Sequence, residues 1–448
     1  MTAVVPRVKK LRAIQLAAVI FLTVSGGPYG LEPLLNQVGG GAALLLLLVT
    51  PLLWDVPTIL TILELNSAMP VTGGYYQWVK RALGLRFGFY EGWWTWLYTF
   101  ADLAIYPVLF VQYLSFFFPA AEAYKIPVCL AVIWISAGIN LLGIVPVGKV
   151  SLVLSAIVLT PFLVLLGTSL WQHGGHLSMP RLTLSGKPFS AIGIGLYTVM
   201  WNFIGWDNVT TYADEVQGPV KAYLKSIAIA FVAVVAIYFI AILLAVNAGI
   251  DAAALEETGF PLLGRATAGH WLGAIVAIGG MASALGLYSA VLLSVSRIPK
   301  AMADDGLLPS KMHALHPRFG SPWVSILCCS VVVSGMILWT FGELLIIDIT
   351  LYGAALFLEY VALIRFRIKA PGMDRPFRIP LGVPGLVMMA LLPLSVYAIA
   401  MGAAFLDEGG SLKPVLFAVI TLASAEVIWQ VICWRKKARP GPQPTDHA

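Results

Sequence analysis

Twelve long stretches almost free of charge recur along the chain, and this pattern leaves few ways to fold. A helix crosses the hydrocarbon layer in about 20 apolar residues, and only helices or closed barrels satisfy their backbone polar groups there. The runs are continuous rather than alternating, so they predict helices and not barrel strands. They fall at approximately 13–37, 41–66, 84–118, 126–145, 149–171, 190–213, 223–248, 270–301, 321–342, 343–366, 384–406 and 413–435. Composition agrees: of 448 residues, 59% are hydrophobic and 11% charged. A soluble domain of this size carries roughly a quarter charged residues. The expected fold is an all-α integral membrane protein with 12 transmembrane helices.

Charge placement sets the orientation. With the N-terminus inside, all of the 28 Lys and Arg fall in cytoplasmic segments except Lys125, Arg181, Lys187, Arg265 and Lys413. This asymmetry predicts a multi-pass cell-membrane (inner-membrane) protein with both termini cytoplasmic. It also accounts for the net charge of +6, so no nucleic-acid partner is implied. Arg7, Lys9, Lys10 and Arg12 run into a full-length span without a small-residue cleavage site, so no cleavable signal is expected. The intervening loops are too short for a soluble domain. Cys129, Cys328, Cys329 and Cys433 lie in or at the ends of apolar runs, without disulfide or metal spacing. All six His fall in loops or the tail. No enzyme activity, metal or cofactor is expected.

Two spans are interrupted. Ser25-Gly26-Gly27-Pro28-Tyr29-Gly30 breaks the first, and the segment around Asn202-Phe203-Ile204-Gly205-Trp206-Asp207-Asn208 breaks the sixth. Such breaks free backbone groups that hydrocarbon cannot satisfy, and they persist only where they line a cavity. Broken helices at corresponding positions of two halves point to a transporter's binding site. The expected organisation is a cytoplasmic N-terminus (1–12), a five-helix repeat (13–171), an inverted five-helix repeat (190–366), two additional helices (384–435) and a cytoplasmic tail (436–448). Discontinuous helices 1 and 6 then supply the candidate substrate-binding residues Ser25, Gly26, Gly27, Tyr29, Gly30, Trp201, Asn202, Gly205, Trp206 and Asp207. Tyr29, Trp201, Phe203 and Trp206 offer ring faces to an ammonium or a methylene chain.

The acids in or at the edges of spans are Glu32, Asp55, Glu64, Glu91, Asp102, Asp207, Asp348, Glu359 and Glu426. A carboxylate at membrane depth costs about 3 kcal/mol or more unless a partner, a proton or water meets its charge. No Lys or Arg is assigned to the membrane core, so the missing positive charge must come from substrate, protons or a bound ion. Asp207 follows the second break and is the candidate contact for a substrate amine, with Asp102 midway along the third span. Glu91 precedes Asp102 by about three turns, roughly 16 Å on nearly the same face. Asp348 and Glu359 repeat that spacing in the tenth span. Glu91, Asp102, Asp207 and Glu359 are the candidate proton-coupling or cation-relay residues; hydrogen bonding to neighbouring spans is the alternative for Glu91 and Asp348. Glu64 is expected to pair with a loop Arg or Lys. Asp55 has no assigned role. Glu32, in the first turn after the first break, opposes the helix dipole that would otherwise attract a substrate carboxylate. That favours an amine over an amino acid.

The chain resembles the amino acid–polyamine–organocation superfamily over nearly its whole length. Similar motifs are Glu64-Leu65 with Pro70-Val71-Thr72-Gly73-Gly74-Tyr75-Tyr76, Ser296-Arg297 with Ala301-Met302-Ala303-Asp304-Asp305-Gly306-Leu307-Leu308-Pro309, and Arg375-Pro376-Phe377-Arg378-Ile379-Pro380. Residues 201–207 are similar to the sixth span of bacterial arginine/agmatine antiporters. Overall similarity is greatest to the plant and protozoan polyamine-uptake group, allied with L-type amino acid transporters. It is carried by the Ser-Gly-Gly-Pro-aromatic-Gly break with Glu32, by Gly88-Phe89-Tyr90-Glu91-Gly92-Trp93, and by Leu358-Glu359-Tyr360. The resemblance implies an inverted-repeat symporter or antiporter that moves polyamines or related cations by alternating access. The expected partners are a small-molecule substrate, protons and membrane lipid. An amino acid permease or exchanger, electrogenic uniport, and a sodium site built from Ser and carbonyl oxygens stay open at this point.

Overall fold

The computed structural model describes residues 10–216, 218–339, 341–406 and 413–438. Residues 1–9 and 439–448 of the expected tails lie outside the described residues. Helices α1 (Ala13–Val24), α2 (Glu32–Val38), α3 (Gly40–Thr50) and α4 (Val56–Ala68) are followed by α5 (Gly74–Leu83), α6 (Leu85–Leu114), α7 (Lys125–Leu141) and α8 (Ile144–Gln172). Then come α9 (Phe189–Phe203), α10 (Pro219–Asn247), α11 (Ala252–Thr258), α12 (Pro261–Ala268) and α13 (His270–Val295). The order ends with α14 (Arg297–Asp304), α15 (Trp323–Met336), α16 (Phe341–Lys369), α17 (Val383–Leu406) and α18 (Lys413–Ala438). Among the described residues there is no strand, and only the isolated bridges Leu11–Val216 and Thr72–Tyr212 pair extended backbone. Among the described residues, nine helical segments are long and apolar enough to cross a membrane; α1 and α15 are apolar but shorter.

Both expected interruptions are present. α1 stops at Val24 and helix resumes at Glu32. Between them Gly26, Gly27 and Gly30 take φ of +58°, +92° and +96°, a region open to glycine and costly for other residues. α9 stops at Phe203; Ile204 is extended, and Gly205 has φ +97°. A Cβ on Gly205 would lie 3.0 Å from the Thr23 carbonyl oxygen, so the two breaks touch through backbone that a side chain would hold apart.

The second apolar run contains a feature that hydropathy does not reveal. Between α3 and α4, Pro51–Asp55 forms a π-helical turn inside a continuous 29-residue span. Pro lacks the N–H that an α-turn would use, and the wider turn carries Asp55 into the fully buried interior. The expected external loop between the seventh and eighth runs is partly helical, as α11 and α12.

α13 packs on α8 and α6, α16 on α6, and α1 on α8 and α10, forming the inner bundle. α17 lies on α9, while α18 lies on α6 and α16. Glu64, at the end of α4, holds the inner bundle to the chain after α16. Its carboxylate accepts from Arg367 at 2.5 and 2.6 Å and from the Ile379 N–H at 2.9 Å, and Arg375 approaches to 3.2 Å. The structural pairing expected for Glu64 is thus present. Removing one partner from a buried pair strands the other charge. Glu64→Ala is therefore expected to destabilise the purified protein by roughly 3–5 kcal/mol, read as a depressed melting temperature.

Candidate functional site

The two breaks meet around a small cavity lined by Thr23, Val24, Ser25, Tyr106, Trp201, Asn202, Ile204 and Leu287. Its volume, about 10 Å³, is room for a single water. Trp201 forms one wall. Its indole N–H points to Asp102 at 3.4 Å, and the Tyr106 hydroxyl donates to the same carboxylate oxygen at 2.5 Å. Asp102 is thereby fixed beside the cavity by one residue of its own helix and one from α9. Gly30 lies under Trp201, where a Cβ would fall 2.6 Å from the indole ring. Asn202 ties the breaks together: its amide donates to the Thr198 carbonyl at 2.8 Å and to the Gly30 carbonyl at 3.4 Å.

The free N–H groups of the first break are mostly committed. Ser25 and Gly26 donate to the Phe21 carbonyl at 2.9 Å, and Gly27 donates to the Ser25 hydroxyl at 3.0 Å. Gly30 donates to Glu32 at 2.6 Å, and Leu31 donates to the Pro28 carbonyl at 3.1 Å. Glu32 also accepts from the Tyr113 hydroxyl at 2.6 Å and the Phe260 N–H at 3.3 Å. Its carboxylate therefore already occupies the Gly30 donor at the start of the second half of the broken helix.

Asp207 accepts from the Tyr352 hydroxyl at 3.1 Å and is buried. Glu91 and Glu359 lie within electrostatic range of Asp207 and of each other, and Asp348 lies within range of Asp102 and Asp207. Thus Asp102, Asp207, Glu91 and Glu359 share one buried region, joined by Asp348. Among the described residues, none of these five acids has a Lys or Arg partner.

Two other candidates point elsewhere. Tyr29 packs edge-on against Tyr113 and Phe162 and donates to the Val276 carbonyl at 2.9 Å, away from the acids. Trp206 turns its indole N–H to Asp55 at 3.2 Å, which gives that acid a partner across the bundle. Tyr98, Tyr106 and Tyr352 stand beside the acids and are site residues that the sequence pattern does not mark. Their spacing along α6 and α16 marks them only as interior aromatics. A larger cavity of about 580 Å³ is lined by Lys149, Arg297 and Arg318 with Glu215, and none of the five unpaired acids lines it; three cations against one paired acid do not suit a cation seat.

Residues 11–425 match the amino acid permease family profile. The chain belongs to that family, within the amino acid–polyamine–organocation superfamily. It is 31% identical to the polyamine transporter RMV1 of Arabidopsis thaliana over 411 residues, covering 89% of this chain and 81% of that one. It is 33% identical to the polyamine transporter PUT1 of Oryza sativa subsp. japonica over 401 residues, covering 87% and 73%. An uncharacterized transporter of Mycobacterium bovis, Mb2022c, is 29% identical over 357 residues, covering 77% of each chain. The protein is accordingly a multi-pass membrane transporter for a small molecule of the polyamine or amino acid type, and not an enzyme.

The fit of Gly30 beneath Trp201 gives a direct check. Gly30→Ala combines a positive φ with a clash against the ring, so a loss of roughly 1–3 kcal/mol in stability is expected. Gly167→Ala, whose Cβ meets nothing within 4 Å, is expected to melt close to the wild type.

Proposed function

We propose that the protein imports polyamines or related organic cations that lack a carboxylate, by proton-coupled alternating access. The observation that carries this reading is the occupation of the first break by Glu32. A permease for amino acids meets the substrate carboxylate with the free N–H groups of a half-helix. Here Gly30 N–H already donates to an internal carboxylate, and neighbouring donors are turned inward. An incoming carboxylate would face Glu32 across a few ångströms, while an ammonium would find Asp102, Asp207 and aromatic faces. The polyamine transporters of Arabidopsis and rice named above lend the same substrate class.

In this reading α1 and α2 form one broken crossing, α9 and the turns after it another, and α15 a third. With the nine long segments these make twelve crossings. Crossings one to five and six to ten form the two inverted repeats, and α17 and α18 are appended. Both termini are cytoplasmic, in the cell inner membrane. Ser25, Gly26, Gly27, Gly30, Asn202 and Gly205 shape the seat, and Asp102 and Asp207 hold the amine. Glu91 and Glu359 pass protons or the cation towards the cytoplasm. The two ends of the path open in turn. At one, Glu32 binds Tyr113 and Phe260. At the other, Arg297 binds Glu215 at 2.6 and 3.0 Å while the Leu11 N–H donates to the Glu215 carbonyl.

The test is uptake of labelled putrescine into proteoliposomes with an imposed pH gradient. The wild type is expected to accumulate it, Asp207→Asn to lose uptake, and Asp102→Asn to weaken it by about ten- to a hundredfold, the value of a hydrogen-bonded charge. Uptake of neutral amino acids in place of amines would overturn the reading.

A further inference from the structure

α6 and α16 cross the bundle antiparallel and share a register. Tyr98 meets Tyr352 edge to face, with ring centroids 5.3 Å apart. In that register Asp102 lies level with Asp348, and Glu91 with Glu359, in agreement with the electrostatic reach of each pair. From Glu91 to Asp102, and from Asp348 to Glu359, is eleven residues, so the two levels are about 16 Å apart. Asp207, held by Tyr352, stands between them. The result is a ladder of acids with tyrosines on its middle rung.

The ladder is unsatisfied. One oxygen of Glu91, both of Asp348 and both of Glu359 lack hydrogen-bond partners among the described residues, and so does the Tyr98 hydroxyl. Each of these side chains is at most 1% exposed. Buried polar atoms are nearly always paired, and unpaired ones call for a ligand, an ion or water. Lone pairs on carboxylates need donors, and a positive donor meets the charge as well. The Asp102 end adjoins the cavity between the breaks through Tyr106 and Trp201.

We propose that the ladder seats two ammonium groups of one linear polyamine, one at the Asp102–Asp348 level and the other at Asp207 or the Glu91–Glu359 level, according to chain length. Its methylenes lie against Tyr98 and Tyr352. This inference rests on the organic-cation reading and adds a requirement to it: the substrate is recognised at both ends, so a second nitrogen is selected as well as the first.

The experiment compares α,ω-diamines and linear polyamines with monoamines of matched length as competitors of uptake by the full-length protein. In the wild type a second ammonium is expected to improve affinity by about ten- to a hundredfold, the value of a charge-assisted hydrogen bond. The gain should appear only once the chain can reach the next carboxylate. In Glu91→Gln/Glu359→Gln the ratio between the longest polyamines and their matched monoamines is expected to fall towards one. The wild-type length series stands by itself if that variant does not fold. Equal affinities for monoamines and diamines at every length would overturn the two-seat inference while leaving the organic-cation reading intact. Failure of amines of any kind to compete would overturn both.

Discussion

A carboxylate held in a membrane bundle must have its charge met, and the bundle formed by α6, α9 and α16 buries five of them without a Lys or Arg partner among the described residues. The buried arginines of the described bundle lie elsewhere, where Arg297 pairs with Glu215 and Arg367 with Glu64. Basic side chains therefore hold the structure together at its margins, and acids are left unpaired in the middle. That separation ties fold to function. In the proposed function it is this separation that admits positively charged species to the path.

Glu32 extends the same logic to the backbone. Breaking a helix in a membrane exposes donors as well as acceptors, and the protein meets those donors with its own acid. The break still lines a cavity, and in the proposed function its Gly30 donor is closed to a substrate carboxylate.

Much of this was legible in the sequence, and the remainder has a common cause. The apolar runs, the two Gly-rich interruptions and the carboxylates within the runs are local features, and each has a local physical meaning. The structure brings Asp102, Asp207, Glu91 and Glu359 into one buried region with Asp348. What periodicity does not give is the register between helices. The sequence left Asp55 without a role because its partner, Trp206, is 151 residues away. Asp348 was hard to assign because its level is set by Tyr98 against Tyr352. Tyr29 lies in the break and so belongs to the site by sequence position, yet between Gly27 and Gly30, both at positive φ, its ring packs on Tyr113 and Phe162. Position alone makes Glu32 an opponent of the helix dipole; the hydrogen bond it accepts from Gly30 N–H is visible only in the fold.

The central claim is that Glu32 closes the first break to carboxylates, and amines differing from amino acids by that one group test it most directly. Binding of putrescine against ornithine, and of agmatine against arginine, would be measured on the purified protein by stabilisation against heat. The account predicts that each amine binds at least about a hundredfold more tightly than its amino acid, the cost of burying a carboxylate without a partner. Equal or tighter binding of ornithine and arginine would contradict it, because the break would then be accepting the carboxylate that Glu32 is held to exclude.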